Sequence, residues 1–130
     1  LLFSLESLAN LARNGRVKPA VAAVARMLNI RVIGQASEVG ELDVLCKTRG
    51  EHGALERIVL ELKAHGYTNG KMVIAHCGNP AAAERLMHMV QAVFEGAQVR
   101  VTECGGLCSY YAELGGLMVG FEDADAGDQL

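Results

Sequence analysis

The sequence predicts one α/β (α+β) domain in which α-helices cover a mixed β-sheet of about five strands. Segments with apolar residues at helical spacing alternate along the chain with short apolar runs of strand length. The chain is 51% hydrophobic but only 5% aromatic, so its core has to be built from aliphatic side chains. We expect the domain to occupy residues 1–122 and an acidic, disordered tail to follow at 123–130.

Two helices and a β-hairpin are predicted in the first half of the chain. Ser4 belongs to the residue types that cap helices, and Leu5, Leu8 and Leu11 follow it at helical spacing. Pro19 belongs to a type that is favoured in the first turn of a helix. In order, the predicted elements are a helix from Ser4 to Gly15, a helix from Pro19 to Leu28, and strands at 30–36 and 42–48.

Helices and strands alternate in the predictions for the second half. Ala54, Ile58 and Leu62 form a helical stripe, and Asn79-Pro80 is a typical helix start. In order, the predicted elements are a helix ending at Gly66, a strand at 71–77, a helix beginning at Pro80, a strand at 98–103 and a strand at 116–122.

Composition and charge exclude several classes of protein. The net charge of −3 and the pI of about 5.8 argue against a nucleic-acid-binding domain, which is usually basic. The apolar runs are far shorter than the roughly 20 residues that a membrane span needs, although transient contact with a membrane surface stays open. Four scattered cysteines favour reduced thiols in a cytoplasmic protein over a disulfide scaffold.

The start of the chain indicates a piece of a longer protein. The sequence begins without Met and in the middle of an apolar pattern at Leu1-Leu2-Phe3. We therefore expect part of any ligand site to be contributed by residues outside this sequence.

The cysteines suggest a second class of function but no metal site. Cys104 and Cys108 stand four apart, without the CxxC spacing and the second pair that a zinc site would require. His76 and Cys77 are neighbours on a predicted strand, so their side chains point to opposite faces and cannot pair directly. A thiol-dependent enzyme that uses Cys104, Cys108 or Cys77 stays an alternative, as does a dimerisation or regulatory module.

Three arginines lie at the ends of predicted elements. Arg16 follows the first helix, Arg31 begins a strand, and Arg49 ends the next strand. A guanidinium at the rim of apolar surface suits a ligand with an anionic head and an apolar tail, because it binds a carboxylate or phosphate through paired donors. Tyr111, in a segment between two glycine pairs, adds a hydroxyl that can donate to a carboxylate.

The ordered set of these motifs resembles the C-terminal domain of the DegV family of fatty-acid-binding proteins. In that family a leucine-rich helix leads to Gly-Arg, a second helix ends in Leu-Asn-Ile-Lys-Pro, and a hairpin ends in Lys-Val-Arg. The matching segments here are Leu8-Ala9-Asn10-Leu11-Ala12-Arg13-Asn14-Gly15-Arg16-Val17, Leu28-Asn29-Ile30-Arg31-Val32 and Lys47-Thr48-Arg49. Arg31-Val32 replaces the usual Lys-Pro, and the family's His-x-Gly-Pro-Gly loop is absent, with Tyr111 at the position of its His.

The resemblance implies a carrier without catalysis or cofactor of its own. Such proteins bind one long-chain fatty acid in a tunnel between an N-terminal domain, which this chain lacks, and the C-terminal domain. They present the carboxylate to a fatty acid kinase subunit, which makes the acyl phosphate. By motif match Arg16 and Arg49 are the expected functional arginines, and Arg31 and Tyr111 are further candidates for ligand binding or partner docking.

Overall fold

The computed structural model describes residues 1–18, 29–37, 42–106, 110 and 112–122. Within these ranges six strands form one mixed sheet with helices packed on it, which confirms the predicted fold class and adds one strand to the expected number. The strands are β1 (Leu2–Leu5), β2 (Ile30–Ala36), β3 (Leu42–Arg49), β4 (Gly70–His76), β5 (Ala97–Glu103) and β6 (Leu117–Phe121). The helices are α1 (Ala9–Arg13), α2 (Gly50–Ala64) and α3 (Pro80–Val93).

The helix predicted from Ser4 to Gly15 is wrong at its start. Residues 2–5 form β1, and only Ala9–Arg13 are helical. The leucine spacing is compatible with a helix and with a strand, but Leu2 and Leu5 lie on opposite faces of the sheet. Burial on both faces is typical of a central strand, whose backbone groups are paired on either side. The helix predicted from Pro19 to Leu28 and the tail at 123–130 lie outside the described residues.

The strand order β3-β2-β1-β6-β4-β5 places β1 and β6 at the centre of the sheet. Only β4 and β5 are parallel to each other, and the other neighbouring pairs are antiparallel. Helix α3 links the two parallel strands, as a crossover connection requires. Helix α2 links β3 at the edge of the sheet to β4.

The sheet has two differently covered faces. Helices α2 and α3 pack on one face, here called the α2–α3 face, over the larger apolar cluster that includes Ile33, Ile58 and Leu86. Helix α1 lies on the opposite face, here called the α1 face, over a smaller cluster built around Leu5 and Val32. No helix in the described ranges is long and apolar enough to cross a membrane.

Two leucines of α2 provide a matched test of this packing. Leu62 is 0% exposed beneath the helix, whereas Leu60 is 54% exposed on its outer side. We expect Leu62→Ala to lower the free energy of unfolding by about 2–5 kcal/mol, because the change leaves a cavity in the core. The control Leu60→Ala should change it by less than about 0.5 kcal/mol. Urea denaturation of both variants measures the difference, and equal losses would contradict the assigned packing.

Candidate functional site

Arg49 and Lys47 place two exposed cations on the α1 face of the sheet. Lys47 is paired with Val32, and Arg49 with Ile30, in the antiparallel ladder between β2 and β3. Val32 packs in the α1-face cluster, so its partner Lys47 points to that face, and Arg49, two residues on, does the same. Both side chains are exposed. Within the part of the chain that the structure describes, no ion pair engages Arg49.

The turn from β3 into helix α2 lies next to Arg49. Arg49 is the residue that precedes α2, and Gly50 adopts the left-handed conformation with φ 76°. The Gly50 amide donates to the carbonyl of Asn29 at 2.7 Å, which fixes the turn from β3 into the helix. The amino-terminal N–H groups of α2 therefore lie beside the Arg49 backbone. The first turn of this helix carries Glu51, and the helix packs on the face opposite the Arg49 side chain.

Arg16 lies at the other end of the same strand. Its carbonyl accepts a hydrogen bond at 3.1 Å from the amide of Leu42, the first residue of β3, and Arg49 is the last. The strand has 8 residues, so its ends are about 24 Å apart at roughly 3.4 Å per residue. The backbones of Arg16 and Arg49 are thus separated by the length of β3.

Aliphatic surface on the α1 face lies between these two arginines. The side chains that form it are Phe3, Leu5, Leu8, Leu11, Val17, Val32, Leu42, Val44, Ala112 and Met118. Most of these residues are only partly buried among the described residues, in contrast to the closed cluster under α2 and α3. The structure therefore confirms neither a closed tunnel nor a shared head-group site. It places the backbone of Arg16 and of Arg49 at opposite ends of β3, a strand that contributes Leu42 and Val44 to this surface.

Arg31 belongs to the opposite face. It is paired with Thr48, the residue before Arg49 in β3, and neighbouring residues of a strand point to opposite faces. Its Nη2 lies 2.6 Å from Oε1 of Glu6, and its side chain is 19% exposed. The ion pair with Glu6 compensates the charge of Arg31 within the domain and joins β2 to the end of β1. Arg31 is therefore not brought together with Arg16 or Arg49.

Tyr111 lies outside the described residues, but the residues on either side of it are held on α1. The Asn10 side chain donates to the Tyr110 carbonyl at 2.8 Å, and the Asn10 amide donates to Oε2 of Glu113 at 3.1 Å. The side-chain amide of Asn14 donates to the Tyr110 hydroxyl at 3.1 Å. Sequence reasoning missed the two asparagines, because their partners are about a hundred residues away and only their spacing of four hints at a shared helix face.

The His76 and Cys77 side chains diverge as predicted for adjacent strand residues. His76 is 8% exposed on the α2–α3 face, where its Nδ1 accepts from the Asn79 amide at 3.2 Å. Cys77 packs with the α1-face cluster. Among the described residues no group of three or more His, Cys, Asp or Glu side chains is arranged to hold a metal ion.

Cys46 is a thiol with suppressed acidity. Burial on the α2–α3 face raises its pKa; the Arg57 guanidinium offsets part of the rise and the Glu61 carboxylate adds to it. The thiolate is the reactive form of cysteine, so this environment is unsuited to a nucleophile. Because the folded chain keeps this proton at higher pH than the unfolded chain, the free energy of unfolding falls as pH rises through the interval between the two pKa values.

Alkylation kinetics test the shifted pKa of Cys46. We expect the pH midpoint for reaction of Cys46 with iodoacetamide to lie higher in the folded chain than in the same chain unfolded in urea. Mass spectrometry of the tryptic peptide that carries Cys46 follows the reaction. The midpoint, rather than the rate, separates the pKa from simple access. Identical midpoints in the two states would contradict the assigned environment.

Comparison with known proteins connects this geometry to a family. The family model of the DegV family matches residues 1–123. A DegV domain-containing protein of Streptococcus pyogenes serotype M3 is 39% identical over 122 residues, which cover 94% of this chain and 44% of that protein.

Solved structures with the same fold hold fatty acids. A DegV family protein from Eubacterium eligens loaded with heptadecanoic acid superposes with a TM-score of 0.90 at 43% identity, covering 94% of this chain and 44% of that chain. The fatty acid kinase B3 protein of Streptococcus pneumoniae, loaded with linoleic acid, superposes with a TM-score of 0.88 at 38% identity, covering 93% and 43%. The present chain thus spans less than half the length of these relatives.

Proposed function

Because the chain belongs to the DegV family, we propose that it forms one wall of a site for a long-chain fatty acid in a two-domain carrier. The observation that carries the proposal is the aliphatic surface of the α1 face with an exposed guanidinium at its rim. Heptadecanoic and linoleic acids, the ligands of two similar structures, have this combination of apolar chain and anionic head. An N-terminal domain outside this sequence would supply the opposite wall.

The acyl chain supplies most of the binding energy in this proposal. Each methylene that moves from water to the aliphatic wall contributes roughly 0.8 kcal/mol, so even partial burial of a long chain favours binding strongly. The wall is aliphatic rather than aromatic, with Phe3 as the aromatic side chain among the described residues of its cluster. Such a surface suits a long, flexible apolar chain.

Arg49 is the cation that we assign to the head group. Its exposed guanidinium on the α1 face binds a carboxylate through paired donors and favours the additional charge of an acyl phosphate. Arg16, at the other end of β3, is assigned to docking an acidic surface of the partner protein. Tyr111, which lies outside the described residues, stays a candidate for contact with the ligand or the partner. Arg31, through Glu6, is assigned to holding β1 beside β2.

The chain presents its ligand to a kinase and carries out no chemistry itself in this proposal. A separate fatty acid kinase subunit transfers the phosphoryl group to the carboxylate. The His76 and Cys77 side chains lie on opposite faces of the sheet and cannot form a thiol–imidazole pair, which favours this assignment over an enzyme that uses Cys77.

Retention of lipid tests the binding proposal. The full-length protein that contains this chain, purified from cells that have ample lipid, should carry about one fatty acid per molecule. Mass spectrometry of a denatured extract identifies and counts it. A protein that retains no lipid and takes up no added long-chain acid would contradict the proposal.

Substitution of Arg49 tests the head-group assignment. In the full-length protein Arg49→Ala should reduce phosphorylation of the bound acid by the kinase at least about tenfold, the equivalent of roughly 1.4 kcal/mol in transition-state stabilisation. Binding should weaken less, because the acyl chain contributes most of the affinity. Arg100→Ala is the matched control, since Arg100 is an exposed arginine at the far edge of the sheet. Unchanged turnover of the Arg49 variant would exclude the role.

A further inference from the structure

Two cysteines follow directly after the neighbouring parallel strands β4 and β5. The register pairs His76, the last residue of β4, with Glu103, the last residue of β5. The Cys104 amide donates to the His76 carbonyl at 2.8 Å, which continues the ladder by one step. Cys77 and Cys104 therefore occupy corresponding positions at the ends of adjacent strands.

Both thiols lie on the α1 face. Cys77 packs against the α1-face cluster, which also contains Met118. The Cys104 Sγ lies 3.9 Å from the Met118 Sδ. Met118 belongs to β6, and β4 lies between β6 and β5, so the two sulfur atoms meet near the end of β4, where Cys77 is located. Both cysteines are partly exposed, which gives a small reagent access.

The spacing of the strands suits a disulfide bond. Neighbouring strands are about 4.8 Å apart, and a disulfide joins Cα atoms about 4.4–6.8 Å apart with Cβ atoms about 3.8 Å apart. Closing the bond requires a small approach of the two Cβ atoms. Gly105 and Gly106 follow Cys104, and no heavy atom of the described residues beyond their chain neighbours lies within 4 Å of a Cβ added at either position, which leaves the backbone at this end of β5 room to adjust.

We propose that Cys77 and Cys104 are a redox pair that forms a reversible disulfide with a low-molecular-weight disulfide such as oxidised glutathione. One cysteine thiolate attacks a glutathione sulfur, which forms a mixed disulfide and releases one glutathione thiolate. The second cysteine thiolate attacks the protein sulfur of that mixed disulfide and releases the other glutathione. Two cysteine thiols are oxidised, one glutathione disulfide is reduced to two glutathiones, and the two thiol protons pass to the released thiolates.

The location of the bond gives it a structural consequence. It would clamp the ends of β4 and β5 beside Gly115 and Gly116, which already bond to the Cys77 backbone. Tyr110 and Glu113, which follow Cys104 in the sequence, accept hydrogen bonds from Asn10 of α1. Oxidation would thus join the ends of β4 and β5 covalently on the α1 face. A partly exposed bond that needs a small backbone adjustment is of the kind that is readily reduced again.

Peptide mapping of the full chain tests the pair. Trypsin cleavage after Lys71, Arg85 and Arg100 separates Cys77 from Cys104. The Cys108→Ser variant removes the other cysteine of the last peptide. After incubation with oxidised glutathione at pH 8, this variant should yield a non-reduced species that links the two peptides, and dithiothreitol should release it.

Two further variants complete the design. Cys77→Ser should reduce the linked species at least about tenfold, whereas Cys46→Ser, on the opposite face, should leave it unchanged. A Cys108→Ser chain that remains reduced, or that carries only mixed glutathione adducts, would overturn the proposal. Because that measurement keeps both native thiols, it is decisive even where Cys77→Ser fails to fold. It requires no fatty acid, so its outcome is independent of the proposed lipid function.

Discussion

Strand β1 pairs with both β2 and β6 and thereby holds the two halves of the sheet together. β1 has only 4 residues, yet it joins the antiparallel β2–β3 pair to the half of the sheet formed by β6, β4 and β5. Leu2 closes the cluster on the α2–α3 face, and Leu5 belongs to the cluster on the α1 face. Without this strand the two halves would share no hydrogen-bonded ladder.

The antiparallel pair β2–β3 then determines the placement of the charged groups. Alternation along β3 sends Lys47 and Arg49 to the α1 face and Thr48 to the other, and Arg31, opposite Thr48, is neutralised by Glu6. Arg16 is tied to the start of β3 and Arg49 forms its end. The strand thus separates the arginines that the sequence pattern groups together, and this separation supports distinct roles for them.

Much of the fold follows from sequence because local and tertiary preferences agree. The strand predicted at 30–36 has the observed bounds, and the helix that begins at Pro80 starts where the proline pattern places it. The Ser4 helix is wrong because a short leucine-rich segment satisfies helical spacing and central-strand burial equally well, and only the pairing with β2 and β6 decides between them. For the candidate site, the sequence identifies which arginines stand at element ends. It does not reveal their faces, the Arg31–Glu6 pair or the Asn10 contacts, since these depend on which distant residues the sheet brings together.

In the proposed complex a fatty acid lies on the α1 face, with its carboxylate at the end of β3 that carries Arg49. Paramagnetic relaxation in the full-length protein, loaded with a long-chain acid that carries a nitroxide near the carboxylate, tests this claim directly. We expect strong broadening of the amide signals from Lys47 to Gly50 and weak broadening around Arg16. Broadening confined to Arg16, or to residues of α2 and α3 on the opposite face, would contradict it.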